Sequence, residues 1–89
     1  MIRPTYVSTA TDTVKLAAHD APLDLDRLVP PAGAPWEVEV GFGKGKYLLD
    51  RAAADPDRRF LGIEMVGQYE KLMVRRARRR GLANWASLR

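Results

Sequence analysis

The sequence predicts an α/β fold in which parallel strands alternate with helices, and three observations carry that prediction. Trp36, Val38 and Val40 alternate with Glu37 and Glu39, the two-residue period of a strand with distinct faces. Gly41, Gly43 and Gly45 follow at once. A helical run then separates this strand from a second, almost continuous apolar segment, Phe60-Leu61-Gly62-Ile63, as expected of an interior parallel strand. Strand, glycine turn, helix and strand in that order open a nucleotide-binding α/β domain.

The chain before this unit is less patterned. Pro4, Thr5, Ser8, Thr9, Thr11, Asp12 and Thr13 favour irregular or extended backbone, and Val14 to Ala18 is too short a run to assign to helix or strand. These 24 residues read as an arm. His19, the single histidine, stands beside Asp20 in this stretch and reads as a surface residue. Asp24 to Val29 predicts a helical turn that stops at Pro30-Pro31, and 30–35 form a proline-rich connector. The expected division is therefore 1–35, arm and connector, and 36–89, the ligand-binding unit.

In that unit the glycines turn the backbone sharply without a Cβ penalty and leave amides free to face a polar ligand. Their spacing narrows the ligand. A dinucleotide loop is G-x-G-x-x-G, whereas Gly41, Gly43 and Gly45 give G-x-G-x-G. The phosphate loop G-x-x-x-x-G-K-S/T also fails, because Tyr47 follows Gly45-Lys46 and no glycine stands five residues before Gly45. Glu39 precedes the first glycine by two positions, and Glu64 ends the second strand, where a carboxylate accepts both ribose hydroxyls. The combination points to an adenosyl ligand without a pyrophosphate, with Glu39, Gly41, Gly43 and Glu64 as its contacts. Gly45 reads instead as a close-packing glycine, and Phe42 either lies over the ligand or plugs the loop. Glu64, at the open end of a strand, is expected to matter little for stability. A nicotinamide-dinucleotide half-domain is the rival reading; it shares Glu64 but lacks the third glycine at its proper place.

The helix after the loop is expected over about Lys44 to Ala54, with Tyr47, Leu48, Leu49, Ala52 and Ala53 on its packing face. Asp55-Pro56-Asp57 ends it. A last helix is expected from about Val66 to Arg80, closed by Gly81. Val66, Tyr69, Leu72, Met73 and Ala77 share one side of it; Gln68, Lys71, Arg75, Arg78 and Arg79 share the other. Arg76 and Arg80 fall toward the apolar side and must snorkel or lie where the helix leaves the core. Arg75, Arg78 and Arg79 fit either a solvated helix face or a phosphate-binding patch. A non-enzymatic RNA-binding module would need this helix and not the glycines.

Composition sets the outer limits. With 46% hydrophobic and 29% charged residues, the 89-residue chain describes a small globular unit. The absence of cysteine excludes disulfides, thiolate metal sites and a cysteine nucleophile, and one histidine leaves no metal cluster to expect. No apolar run approaches a membrane span, which makes a cytoplasmic protein the default. Residues 1–40 carry three basic groups against six acids, and 41–89 carry twelve against five. The positive half is the half with the ligand loop, which favours a polyanionic partner.

The stretch Glu39-Val40-Gly41-Phe42-Gly43-Lys44-Gly45-Lys46-Tyr47-Leu48 resembles the E-I/V-G-F-G-K-G-x-F/Y-L motif of the bacterial tRNA (guanine-N7)-methyltransferases, a family of class I S-adenosylmethionine-dependent methyltransferases. Asp55-Pro56-Asp57, Phe60-Leu61-Gly62-Ile63-Glu64 and Gly81-Leu82-Ala83-Asn84 follow in that family's order, so the resemblance runs from about Leu25 to Arg89. It implies a Rossmann-like fold of which only the first two parallel strands and their helices are present, with the remainder of the methyltransferase domain as partner. It implies S-adenosylmethionine as cofactor, with Glu39 near the methionine amino end, the Gly41 to Gly43 backbone along the cofactor and Glu64 on the ribose. It also implies tRNA as substrate, methylated at N7 of a variable-loop guanine. The family's later acids and its D-P-W-P-K-x-R-H stretch have no counterpart up to Arg89, so no catalytic residue is carried over and this piece alone is expected to be inactive.

Overall fold

The computed structural model describes residues 5–16 and 24–89. His19, with the rest of 17–23, lies outside the described residues, as does Pro4. The elements in chain order are β1 (Thr5–Thr9), β2 (Thr13–Leu16), α1 (Leu25–Leu28), β3 (Trp36–Val40), α2 (Lys46–Ala54), β4 (Arg59–Ile63), α3 (Gly67–Arg79) and β5 (Trp85–Leu88). They build one five-stranded sheet in the order β2-β1-β5-β4-β3. β3, β4 and β5 run parallel, and β1 pairs antiparallel with both β5 and β2.

Two expectations are corrected here. The sheet has three parallel strands where two were expected, because Trp85-Ala86-Ser87-Leu88 pairs with β4 and is buried on both faces. Four residues are too few to show a period, so β5 left no sequence signal. Residues 5–16, expected as an arm of irregular or extended backbone, form a hairpin that extends the sheet beyond β5. Val7, Ser8 and Thr9 are buried although two of them are polar, which hid the strand from a hydrophobic pattern. The sheet thus joins residues on both sides of the expected 35/36 boundary.

The helices pack where the glycines and the strand pattern direct them. Phe42, Leu48, Leu49, Ala52, Phe60, Met73, Val74, Ala77 and Trp85 form the main core between α2, α3 and one face of the sheet. Tyr47 and Ala53, assigned to the packing face of α2, are exposed; Glu70 and Val74 replace Val66 and Tyr69 on the buried side of α3. Asn84 fastens the far end of α2 by donating to the carbonyls of Ala52, Asp55 and Arg58 at 3.0, 3.2 and 2.9 Å. Arg76 and Arg80 reach back as expected of snorkelling chains, to the Lys44 carbonyl and the Asp50 carboxylate, both at 3.3 Å.

The opposite face is covered only in part among the described residues. α1, capped by the Asp24 carboxylate on the Arg27 amide, lays Leu25 and Leu28 beside Val29, Leu61, Ala86 and Trp36. Arg59 holds that corner together. Its guanidinium donates to the carbonyls of Val29 and Ala34, pairs with Asp26 at 2.6 Å and stacks over the Trp36 ring at 4.4 Å. Beyond it Val38 and Val40 on the edge strand β3 are 54% and 76% exposed. Among the described residues no helix is long and apolar enough to cross a membrane, and no three His, Cys, Asp or Glu side chains gather as a metal site needs.

Candidate functional site

The carboxyl ends of parallel strands are where open α/β sheets bind ligands, and here those ends carry the glycine loop and both nominated acids. β3 delivers Glu39 and then Gly41, whose amide donates to the Ile63 carbonyl at 2.7 Å and seats the loop beside the end of β4. Gly41, Gly43 and Gly45 all have positive φ, at 75°, 60° and 86°, so glycine is required at each by backbone conformation.

Their surroundings separate the three. A Cβ on Gly45 would lie 2.1 Å from Met73 Cγ, so this glycine admits α3 against the start of α2. The close approach expected of Gly45 is real, but it is to a helix and not to the strand. A Cβ on Gly41 or Gly43 would meet nothing within 4 Å. These two line open space, as ligand contacts must. Phe42 does not lie over that space. It is buried in the core against Gly62, where an added Cβ would stand 2.5 Å from its ring; it is the plug of the loop.

Glu64 is brought to the loop from β4. Its Oε1 accepts the Gly43 amide at 2.8 Å and its Oε2 accepts the Val66 amide at 3.0 Å. The Val66 amide first, and the Gly43 amide second, hold its carboxyl below the usual glutamate range, so it is an anion. A carboxylate has about four acceptor positions, and these two bonds leave about two for a vicinal diol.

Glu39 lies on the helix-bearing face of β3 with Glu37. Glu37 pairs with Arg51 at 3.3 Å. Glu39 has no such partner: its Oε1 is buried and makes no hydrogen bond among the described residues. Burial, and secondarily repulsion from Glu37, pushes its carboxyl up. An unpaired acid beside open, positive-φ glycines fits a ligand that brings a cation or donors of its own.

The three nominated arginines are not one patch. Arg78 donates from Nε and Nη2 to the Thr9 carbonyl, and from Nη2 to the Asp12 carbonyl and Thr13 Oγ1, at 2.8 to 3.2 Å. It is a fastener between α3 and the hairpin, a role that neither the solvated-face nor the phosphate-patch reading gave it. Arg75 lies beside it with Lys71, which the sequence put on the polar face without singling it out, and with Arg89. Arg79 faces the other way, toward a groove with Lys46, Asp50 and Arg80. Helical periodicity spreads Arg75, Arg78 and Arg79 over one broad polar side, and the neighbouring hairpin divides it.

Comparison with known proteins gives the following. Residues 33–89 match the model of a family described as "Putative methyltransferase". The chain is 46% identical over 50 residues to the tRNA (guanine-N(7)-)-methyltransferase of Pseudomonas fluorescens, covering 56% of this chain and 20% of that protein. It is 45% identical over 62 residues to the protein of the same name from Leifsonia xyli, covering 70% and 27%. Against that from Rhizobium meliloti it is 38% identical over 66 aligned positions, covering 65% and 28%. The chain spans about a fifth to just over a quarter of the length of these relatives.

Proposed function

The chain belongs to the methyltransferase family whose model matches residues 33–89, and on that premise we propose that it is the S-adenosylmethionine-binding part of a tRNA (guanine-N7)-methyltransferase. The observation that carries the cofactor reading is the unpaired buried oxygen of Glu39 beside two glycines that face open space. Glu39 would receive the methionine ammonium, the Gly41 to Gly43 backbone would run along the methionine and sugar, and Glu64 would accept the ribose hydroxyls. The names of the relatives support tRNA as the substrate and guanine N7 as the atom modified.

When bound, S-adenosylmethionine supplies an electrophilic sulfonium methyl group. Guanine N7 carries its own lone pair, so the residues of this chain need only hold and orient, without a strong base. Glu64 is fixed by two backbone amides before any ligand arrives and would present its free acceptor positions without reorganisation. The exposed Val38 and Val40 on the β3 edge support the reading that further polypeptide of the same domain completes this face.

The test is calorimetric titration of the protein carrying this chain with S-adenosylhomocysteine and, separately, with NAD and NADP, followed by nucleoside analysis of tRNA after incubation with S-adenosylmethionine. Binding of the homocysteine compound alone and appearance of N7-methylguanosine are expected. Binding of NAD in its place, or methylated tRNA without N7-methylguanosine, overturns the proposal.

A further inference from the structure

We infer that the cleft between the β1–β2 hairpin and α3 holds RNA backbone phosphates, with Lys71 and Arg75 as the contacting cations; the identity of the polyanion rests on the tRNA reading above. The cleft measures about 570 Å³, and its lining among the described residues includes Lys71, Arg75, Arg78 and Arg89 against a single acid, Glu70. That acid is engaged elsewhere. Glu70 is 1% exposed, accepts the Ser87 hydroxyl and lies 3.6 Å from Arg89 Nε, so its charge is balanced inside the wall. The remaining cations give the opening a positive potential.

Those cations divide into two that are held and two that are not. Arg78 is held by hairpin carbonyls and Arg89 lies over the Tyr6 ring at 4.1 Å, so both are rigid parts of the walls. Lys71 and Arg75 make no hydrogen bond or ion pair among the described residues and stand exposed. The groove on the other side of α3 differs. There Asp50 already pairs with Lys46 at 2.8 Å and with Arg80 at 3.3 Å, and Arg76 is on the Lys44 carbonyl. Among the described residues Arg79 is the one unengaged cation of that groove, beside Asp50, so a polyanion finds two neighbouring unengaged cations on the hairpin side against one on the other.

Geometry favours a chain of phosphates over one ion. Lys71, Arg75 and Arg78 follow one another at i, i+4 and i+7, a single row about 10 Å long at 1.5 Å per residue. The row starts one turn into α3, whose first residue follows Val66, the residue whose amide Glu64 accepts. A strand lying in the cleft would thus run from the hairpin toward the acid at the end of β4. Contacts of this kind position a nucleic acid without reading its sequence.

The experiment measures binding of poly(U) to the protein carrying this chain as a function of salt. The double variant Lys71→Gln, Arg75→Gln is compared with wild type and with a charge-matched control, Arg76→Gln, Arg79→Gln. Losing two phosphate contacts should lower the slope of log affinity against log salt by about 1.4 for a single strand, with the control close to wild type. An unchanged slope in the double variant, an equal fall in both pairs, or a wild type that binds no poly(U) overturns the inference. S-adenosylhomocysteine titration of the same proteins keeps the two readings apart. A wild type that ignores this compound sinks the methyltransferase reading, while the poly(U) slopes still decide the cleft. The melting curve of the Lys71→Gln, Arg75→Gln variant should match wild type, since neither residue has a described intramolecular partner, whereas the control gives up the Arg76 bond to the Lys44 carbonyl.

Discussion

Glu64 closes the glycine loop onto the end of β4, its Oε1 accepting the Gly43 amide at 2.8 Å. The bond joins residues 21 apart, and the second oxygen takes the Val66 amide, so one side chain fixes both the loop and the entry to α3. A carboxylate at the open end of a strand was expected to matter little for stability; here only 8% of its surface is exposed and two amides depend on it.

Replacement of Glu64 should therefore act twice. Glu64→Gln keeps one good acceptor and should weaken S-adenosylhomocysteine by about tenfold; Glu64→Ala should weaken it by one to three factors of ten, on the order expected for charged acceptors. The alanine variant should also free the Gly43 and Val66 amides, seen as faster hydrogen exchange at those two positions. The pH dependence has a definite sign. The folded carboxyl is held below its unfolded value of about 4.3, so its contribution to stability is present above that pH and is lost as pH falls through the folded value. The acid limb of the stability curve should shrink in Glu64→Ala. Cofactor affinity equal to wild type in that variant would remove Glu64 from the site.

The loop glycines and Gly62 of β4 should separate by phenotype. Gly45→Ala drives a methyl group into Met73 and Gly62→Ala drives one into Phe42 and Leu48, so both should lose stability, by about 1–3 kcal/mol, with the α2–α3 contact disturbed in the first. Gly41→Ala and Gly43→Ala meet no neighbour and carry only the strain of positive φ, about 1–2 kcal/mol. Their main loss should appear in S-adenosylhomocysteine affinity. Thermal melts and calorimetry on the four variants check the division; an equal loss of affinity from Gly62→Ala would contradict it.

The parts legible in the sequence are those where one physical signal dominates. β3 announced itself by alternation, the loop by three glycines that backbone geometry makes obligatory, β4 by an apolar run and the end of α3 by Gly81, whose φ is +70°. Asp24 and the proline pair bounded α1 correctly. What escaped depends on partners distant in the chain. β5 and the hairpin are strands because they pair with one another, and Ser8, Thr9 and Ser87 are buried in spite of their polarity. Arg78 looks like any surface arginine until Thr9 and Asp12, more than 60 residues away, supply its acceptors. Glu70 likewise hides on a charged helix, because its partners Ser87 and Arg89 come later in the chain.

Arg59 offers a test of how the N-terminal segment is held. Its side chain is nearly inaccessible and serves two carbonyls, one acid and one indole face at once. Arg59→Met fills similar space but leaves the Val29 and Ala34 carbonyls without their donor, and should cost about 2–3 kcal/mol. Arg59→Lys retains the charge without the planar fork that reaches both carbonyls and should fall between. Denaturant unfolding of the protein carrying this chain measures both; a methionine variant as stable as wild type would show that the corner is held by apolar contacts alone.

Glu39 should show opposite effects on stability and on binding. Its carboxyl is pushed up by burial and then by Glu37, so the folded state holds this proton more tightly than the unfolded chain does. The sign follows: stability from this group is greatest at low pH and declines as pH rises from about 4.3, the unfolded value, through the folded one. Above that point the folded protein carries a carboxylate with a buried, unpartnered oxygen. A ligand ammonium would relieve that cost, which ties cofactor affinity to ionisation of this residue. Glu39→Gln should accordingly melt higher than wild type at neutral pH in the absence of ligand, by about 2–4 °C if half a kilocalorie is released in a domain of this size. The same variant should bind S-adenosylhomocysteine about tenfold more weakly. Wild-type affinity should climb across the titration of Glu39 and then level, whereas the glutamine variant should stay flat there. Scanning fluorimetry and calorimetry from about pH 4 to about pH 8 record both quantities on the same samples. A glutamine variant that binds as tightly as wild type at neutral pH would remove the ammonium from beside Glu39, and with it the main support for the way the cofactor is oriented in this loop.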